Sequence, residues 1–149
     1  CEIGNHSYSH SNLANLSQEE IKSQMKKTDD KVKSVIGKST DVMRVPYGAT
    51  GDNVKSAVGK PVILWSIDTL DWKTRNESKT VSAVMNNVKD GDIVLMHDIH
   101  EPTKRAALSI IPKLRKQGYQ LVTVSEMAKY RGYKMEKGKT YFNFYKTGR

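Results

Sequence analysis

The chain has 149 residues, a length typical of one domain or a large part of one. Hydrophobic residues make up 37% of the sequence, and no apolar run approaches the length of a membrane-spanning helix. The single cysteine, Cys1, excludes an internal disulfide framework and a paired-cysteine metal site. The net charge of +9 favours an anionic environment, but the basic residues are scattered and few aromatic residues lie among them, which argues against a nucleic-acid interface.

The first long pattern predicts an amphipathic helix from Gln18 to Ile36. Ser17 and Glu20 have the spacing of a capping box, and apolar residues recur after them at helical intervals. Gly37 follows directly, where a glycine commonly ends a helix. The start and the end of this helix are therefore both predicted from local signals.

Extended and helical patterns alternate over the rest of the chain. One predicted helix ends at Gly91, and its apolar face consists of Val81, Val84, Met85 and Val88. A second predicted helix has an apolar face of Ala107, Ile110, Ile111 and Leu114, and Pro112 disturbs it locally. Apolar runs predict strands within residues 41–48, 60–68, 92–98 and 119–124, a short helix within 51–59, a last helical turn before 131, and an edge strand or arm in the tail. This alternation predicts an α/β fold in which helices cover parallel strands, as a barrel or an open sheet.

Four groups of polar residues lie at or just past apolar runs, the first after residues 2–4 and the others at the ends of the strands predicted within 41–48, 60–68 and 92–98. In α/β folds the carboxyl ends of parallel strands carry the chemistry, so this recurrence favours a functional site. The residues concerned are His6 and His10, Arg44 and Tyr47, Asp68 with Asp71 and Trp72, and His97 with Asp98.

Each group also has an ordinary explanation when it is taken alone. The two histidines at i and i+4 could bind a divalent metal, since neutral imidazoles suit zinc, but the pair by itself does not require one. Asp71 could cap a helix, Trp72 could pack in the core, and His97 could be a core histidine bonded to a backbone carbonyl. The joint placement of the groups is what favours an enzyme.

Taken in order, HSYSH, RVPY, DTLDW and LMH resemble the second to fifth motifs of the polysaccharide deacetylases, also known as the NodB-homology domain or family 4 carbohydrate esterases. The resemblance runs from Ile3 to about Arg131. The stretches WSIDTLDWKTRN and DGDIVLMHDIH are most similar to the peptidoglycan N-acetylglucosamine deacetylases of Gram-positive bacteria. The resemblance implies the distorted (β/α) barrel of the NodB type.

The resemblance also implies a reaction, the metal-dependent hydrolysis of N-acetyl groups on a polysaccharide with release of acetate. His6 and His10 would bind the metal, with zinc as the first choice and cobalt, nickel or manganese as alternatives. His97 would be the general acid. Asp71 would stabilise protonated His97, and Arg44 would orient the carboxylate base and lower its pKa. The amide of Tyr47 would bind the oxyanion, and Trp72 and Leu95 would form the walls of the acetyl pocket.

One motif of the family is missing from this sequence. The first motif, a Thr-Phe-Asp-Asp-Gly type stretch that supplies the base and the third metal ligand, has no counterpart, and Asp29-Asp30 lies within a predicted helix. We therefore expect residues 1–149 to be the C-terminal part of one catalytic domain, with 134–149 as an arm, completed by an N-terminal segment that is present as a companion chain. Without that segment we expect the chain to be inactive.

The substrate stays open at this stage. Peptidoglycan is favoured over chitin oligosaccharides and acetylated xylan, and we expect an extracellular or cell-surface location, with a signal or anchor upstream. Two alternatives are a carbohydrate-binding module that keeps the fold without the chemistry, and a basic binder of anionic polymers whose affinity would fall steeply with salt.

Overall fold

In residues 1–146, which the computed structural model describes, six α-helices and four two-residue strands are interspersed along the chain. They belong to two units, the first formed by residues 1–64 with 134–141 and the second by 65–133 with 142–146. The helices are α1 (Gln18–Ile36), α2 (Asp52–Ala57), α3 (Asp71–Thr74), α4 (Glu77–Met85), α5 (Glu101–Lys116) and α6 (Val124–Tyr130); the strands are β1 (Val62–Ile63), β2 (Ile67–Asp68), β3 (Val94–Leu95) and β4 (Thr140–Tyr141); short 3-10 helices cover Leu13–Asn15 and Pro46–Gly48.

The longest helix of the first unit, α1, has the predicted bounds. The Ser17 side chain accepts a hydrogen bond from the Glu20 amide, and the Glu20 carboxylate accepts one from the Ser17 amide, which completes the capping box. Gly37 ends the helix in the left-handed region, with φ of 80°. The helix buries Ile21 and Met25 and packs against α2.

Extended segments of the first unit lie side by side and run parallel. Asn5 pairs with Met43, Met43 pairs with Val62, and β1 pairs with β4 in a register that sets Val62 opposite Thr140. The amide of Arg44 donates to the Asn5 carbonyl at 2.9 Å, which continues the ladder to the carboxyl end of its segment. The residues that follow Asn5 and Met43 therefore leave the sheet at the same edge, where parallel α/β folds build their sites.

The second unit contains one parallel strand pair and the packed helices α4 and α5. β2 pairs with β3, with Asp68 opposite Leu95. The helices bury a cluster made of Val84, Ala106, Ile110 and Leu114, and Val81, Met85 and Val88 pack against it. The predicted apolar face of α4 is therefore confirmed. The face predicted for α5 was off by one position at one end, because Ala106 is fully buried in place of Ala107 and Ile111 is 42% exposed.

Several sequence predictions about extended segments need correction. The apolar run 60–68 is not one strand but two, β1 and β2, and each pairs with a different partner. No strand is assigned within residues 119–123 of the described chain, where Thr123 instead caps α6. Pro112 lies inside α5 without ending it, and α4 ends at Met85 rather than at Gly91.

Gly91 allows the C-terminal segment around Phe144 to approach the backbone closely. Its φ is 99°, a backbone conformation that residues with a side chain rarely adopt. A Cβ atom at this position would lie 2.7 Å from the carbonyl oxygen of Phe144. Phe144 is fully buried and its amide donates to the Gly91 carbonyl at 2.8 Å. Phe144, within the predicted arm, thus packs against the Gly91 backbone, while residues 147–149 lie outside the described residues.

The α/β class is observed, but no closed barrel is present within residues 1–146, whose strands form two separate two-stranded sheets. None of the helices in that part of the chain has the length and apolar character needed to span a bilayer.

Candidate active site

The HSYSH segment of the first unit is held tightly on both sides of its turn. The side-chain oxygen of Gln24, on α1, accepts the amides of Tyr8 and Ser9, each at 2.9 Å. The backbone is left-handed at two residues other than glycine, with φ of 63° at Ser7 and 55° at His10. Such conformations persist where the surroundings fix them, and here the Ser7 hydroxyl accepts the His10 amide at 3.0 Å.

His6 and His10 are brought together by this turn. Their ring centroids lie 4.9 Å apart, with the ring planes at 71°. Nδ1 of His6 lies 2.6 Å from the carbonyl oxygen of Arg44, and because a carbonyl only accepts, Nδ1 carries the hydrogen. In the neutral ring the lone pair is then on Nε2, the state in which histidine binds metal while its other nitrogen donates to the protein.

Tyr47 and Arg44 frame the histidine pair. The hydroxyl of Tyr47 lies 3.3 Å from Nδ1 of His10, and the two rings meet edge to face with centroids 4.9 Å apart. Tyr47 is itself left-handed, with φ of 61°. Its backbone N–H has no acceptor among the described residues, which leaves it available to a ligand oxygen.

The Arg44 guanidinium is oriented by the backbone of the next extended segment. Its Nε donates to the Ile63 carbonyl at 3.1 Å and its Nη2 to the Leu64 carbonyl at 3.2 Å. Burial lowers the pKa of Arg44 from its ordinary value, but arginine stays charged at neutral pH. A fixed and partly buried cation is suited to orient a carboxylate.

In the second unit, Asp71 and His97 form an acid–imidazole pair in which the carboxylate is buried and the imidazole is partly exposed. Oδ1 of Asp71 accepts Nδ1 of His97 at 2.8 Å, while Oδ2 accepts the His97 amide at 2.6 Å and the Thr103 hydroxyl at 2.8 Å. Burial alone would raise the pKa of Asp71, but these hydrogen bonds outweigh it and lower the pKa to about 2. Asp71 is therefore ionised at neutral pH although its side chain is only 1% exposed.

The pairing with Asp71 aims the other nitrogen of His97 outward. The His97 side chain is 36% exposed, and Nε2 makes no hydrogen bond to any residue in the described part of the chain. The imidazole is thus fixed at one nitrogen and accessible at the other, the arrangement that a general acid or base requires.

Trp72 and Leu95 lie in the same unit as this pair. Trp72 follows Asp71 in α3 and is 48% exposed, and Leu95 ends β3 and is buried. The short helix is entered through Leu70, which is left-handed with φ of 52° and whose amide donates to the Asp68 carboxylate at 2.9 Å. The chain therefore turns sharply after β2, which buries Asp71 and leaves the indole of Trp72 half exposed.

The residues present fit a divalent metal in part. Two imidazoles, one with its Nδ1 held by a backbone carbonyl, match the ligand type and the outer contact that zinc sites use. Within residues 1–146 no group of three or more His, Cys, Asp or Glu side chains is suitably placed to hold an ion. The described residues thus supply His6 and His10 as candidate ligands.

Thr103 and Asn5 were not singled out from the sequence. Thr103, in the first turn of α5, supplies a third donor to Asp71, and Asn5 binds the turn that carries the histidines. The contact of Thr103 with Asp71 spans 32 residues, and Asn5, although it binds nearby Ser7, is held in place by Met25 and Asp29, which are 20 and 24 residues away, so local spacing gave no signal of either. The two sets of four candidate residues fall in different units, with His6, His10, Arg44 and Tyr47 in the first and Asp71, Trp72, Leu95 and His97 in the second.

Comparison with known proteins identifies the class. The family model described as "Polysaccharide deacetylase" matches residues 1–61. A solved structure described as "T48 deacetylase with substrate" is 36% identical, with a TM-score of 0.89 over 94% of this chain and 69% of that one. The chain belongs to the polysaccharide deacetylase family, the family 4 carbohydrate esterases, and has its NodB-type fold.

Curated relatives include two bacterial cell-wall enzymes. The peptidoglycan N-acetylglucosamine deacetylase PgdA of Listeria monocytogenes is 40% identical over 95% of this chain and 30% of its own length. The peptidoglycan N-acetylmuramic acid deacetylase PdaC of Bacillus subtilis is 44% identical over 85% of this chain and 27% of its own length. The chain thus spans less than a third of these curated relatives.

One further solved relative carries a metal. The family 4 acetyl xylan esterase of Clostridium thermocellum, described in complex with a cobalt ion, is 30% identical, with a TM-score of 0.89 over 95% of this chain and 72% of that one.

Proposed function

We propose that this chain is part of a metal-dependent deacetylase that hydrolyses N-acetyl groups of N-acetylglucosamine residues in a cell-wall polysaccharide, with peptidoglycan as the preferred polymer. The family membership gives the general activity, and the names of the curated relatives support the polymer. Those relatives differ in the sugar that their names specify. The choice of N-acetylglucosamine rests on the similarity to the Listeria enzyme, which is 40% identical and matches 95% of this chain.

The observation that carries the proposal is the contact between Asp71 and His97. Hydrolysis of an amide breaks a C–N bond, and the amine departs only when its nitrogen receives a proton. Nδ1 of His97 is held at 2.8 Å by a carboxylate that stays ionised, and the accessible Nε2 is the nitrogen that would deliver the proton. An ester needs this proton less, so the pair favours amide substrates.

The remaining residues have matching roles in the same reaction. The backbone N–H of Tyr47 would donate to the oxyanion that forms when water adds to the acetyl carbonyl. Trp72 and Leu95 would provide the apolar wall for the acetyl methyl group. When the C–N bond breaks, acetate leaves with the oxygen from water and the sugar keeps a free amine.

His6 and His10 are the residues that would hold the metal. A divalent ion bound by imidazoles polarises a carbonyl and lowers the pKa of bound water, which is the chemistry the reaction needs. We favour zinc because its preferred ligands include histidine. The contribution of the protein is to fix the rings, through the Arg44 carbonyl and the Tyr47 hydroxyl.

The carboxylate base and the third ligand are proposed to come from a segment N-terminal to this chain, present as a companion, since the Asp-Asp motif of the family has no counterpart in the sequence. Residues 1–149 would then be the C-terminal part of one catalytic domain. Arg44, fixed by two carbonyls, would orient that carboxylate. We also propose a cell-surface location, which suits both the polymer and the net charge of +9 next to anionic wall polymers.

The test is acetate release by the purified protein from peptidoglycan, chitin oligosaccharides and acetylated xylan, before and after chelation and after return of zinc or cobalt. A native mass spectrum and a denatured one of the same sample establish whether a companion polypeptide and a metal are present. We expect release from peptidoglycan that stops on chelation and resumes with metal.

The other outcomes decide between the alternatives. Release only from acetylated xylan would overturn the assignment to amides. Glycan binding without acetate release, in a sample that holds both companion and metal, would identify a non-catalytic binding module. Binding that survives replacement of His6 and His10 and falls steeply with salt would identify a binder of anionic polymers.

A further inference from the structure

Behind the histidine turn, α1 contributes a carboxylate to a partly buried polar network. Oδ1 of Asp29 accepts Nδ2 of Asn5 at 3.0 Å and the hydroxyl of Thr40 at 2.6 Å, and Oδ2 lies 2.9 Å from Nζ of Lys60. The side chains of Asp29 and Lys60 are 19% and 15% exposed. The reaction described above makes no use of this carboxylate.

Asn5 links the network to the histidines. Its two Nδ2 hydrogens have separate acceptors, the Asp29 carboxylate and the Met25 carbonyl, each at 3.0 Å. Its Oδ1 accepts the Ser7 amide at 2.9 Å, and the Ser7 hydroxyl in turn accepts the His10 amide. A continuous chain of hydrogen bonds therefore leads from Asp29 to the backbone of His10.

The direction of the Asn5 amide depends on acceptors that face its nitrogen. An amide can be reversed unless its partners distinguish oxygen from nitrogen. A carboxylate and a backbone carbonyl accept only, so Asp29 and the Met25 carbonyl together hold Nδ2 on the helix side and Oδ1 toward Ser7, and Asp29 is the one side chain of the two acceptors. Asn5 is buried, so loss of the Asp29 carboxylate would leave one Nδ2 hydrogen of Asn5 without a hydrogen-bond acceptor, at a cost in free energy.

We propose that Asp29 is a positioning residue for the metal-binding pair: through Asn5 and Ser7 it fixes the left-handed turn that sets the His6 and His10 rings for one ion. This inference rests on the proposed metal-dependent function. Asp29 touches neither the ion nor the substrate, and its effect passes through the turn.

The experiment compares three substitutions by isothermal titration of Zn²⁺ into the purified protein together with its companion segment. Asp29→Ala removes the acceptor, and we expect about 10-fold weaker binding, the lower end of what outer contacts of metal ligands contribute. Asp29→Asn keeps an acceptor oxygen for Asn5, so it should recover most of the affinity. Asp30→Ala removes the exposed carboxylate one position along α1, which pairs with Lys26 on the same helix, and should leave Zn²⁺ binding unchanged.

A second control separates positioning from stability. Lys60→Met breaks the same network at its other end and removes a charge partner of Asp29, but it leaves the bond from Asn5 to Asp29 in place. We expect this variant to lose stability and to bind Zn²⁺ like the wild type. Equal weakening in Lys60→Met and Asp29→Ala would overturn the proposal in favour of a general structural role.

A readout without metal keeps the inference separate from the proposed function. ¹⁵N NMR of the imidazole nitrogens reports the tautomer of His6, which the contact of Nδ1 with the Arg44 carbonyl fixes in the wild type. We expect the His6 signal to become an average of the two tautomers in Asp29→Ala and to stay that of one tautomer in Asp30→Ala. If the wild type with its companion segment binds no Zn²⁺, the proposed metal binding is refuted, and the NMR comparison then tests the effect of Asp29 on the turn by itself. An unchanged tautomer signal in Asp29→Ala, or unchanged affinity where the wild type binds, would overturn the inference.

Discussion

Replacing Asp71 by asparagine tests the physical basis of the acid–imidazole pair. Asparagine has nearly the same shape as aspartate, but it carries no charge and presents one acceptor oxygen in place of two. In the wild type both carboxylate oxygens are used, by the His97 ring, the His97 amide and the Thr103 hydroxyl. The substitution therefore removes a charge and at least one of three hydrogen bonds while leaving the packing volume intact.

The expected loss of stability follows from the pKa of Asp71, which lies at about 2 in the folded chain against an ordinary value of 3.8. A depressed folded pKa means that the carboxylate is more stable in the folded than in the unfolded chain. The difference corresponds to about 2 kcal/mol of unfolding free energy. This contribution is fully present above about pH 4 and is lost as the pH falls through 2. Asp71→Asn should therefore be about 2 kcal/mol less stable than the wild type at pH 7, with a gap that narrows toward pH 2.

Urea unfolding followed by tryptophan fluorescence measures this gap, because both tryptophans, Trp65 and Trp72, belong to the second unit. The matched control is Asp98→Asn, which removes an exposed carboxylate next to His97 and should change stability little. Acetate release should fall about 100-fold or more in Asp71→Asn, since the imidazole of His97 loses the negative charge beside its Nδ1. Equal stabilities of Asp71→Asn and the wild type across this pH range would refute the reasoning.

Three further predictions follow from the same structure. His97→Gln should lower acetate release from an N-acetyl substrate about 100- to 10,000-fold, but much less from an activated ester whose leaving group needs no proton, and the ratio of the two rates is the measurement. Leu114→Ala should cost about 2 to 5 kcal/mol in urea unfolding because it opens the α4–α5 cluster, whereas Ile111→Ala, at a half-exposed position, should cost less than about 1 kcal/mol. Gly91→Ala should cost about 2 kcal/mol or more, because its Cβ would meet the Phe144 carbonyl, and a melting temperature equal to that of the wild type would contradict this.

Helix α1 shows what the sequence could predict well. Its capping box, its apolar spacing and its terminal glycine act over three or four residues, so the bounds Gln18 and Ile36 follow from neighbours in the sequence. For α5 the face is set by contacts with α4 rather than by spacing alone. Ala106 and Ala107 are both small and apolar, and only the partner helix determines that the first is fully buried.

Strands and polar contacts depend on partners that are distant in the sequence. The run from Lys60 to Asp68 reads as one strand because all of its apolar residues suit an extended chain, yet β1 and β2 have different partners. The motif residues could be found because their order along the chain matches a family. Thr103 lies outside those motifs, and its contact with Asp71 spans 32 residues.

Two carboxylates hold histidine-bearing segments by the same physical means, each within its own unit. Burial alone would raise the pKa of Asp29 as it would that of Asp71, but hydrogen bonds from Thr40, Lys60 and Asn5 outweigh it and lower the pKa. A carboxylate stabilised in this way must give up its donors before it can be protonated, so it resists rearrangement throughout the neutral range. Asp71 uses this stability to fix an imidazole directly, and Asp29 uses it to fix the asparagine that precedes one. The positions of the proposed catalytic and metal-binding rings therefore depend on these two carboxylates as well as on the histidines themselves, and a sequence that kept every histidine but lost Asp29 would keep the motif and lose part of its geometry.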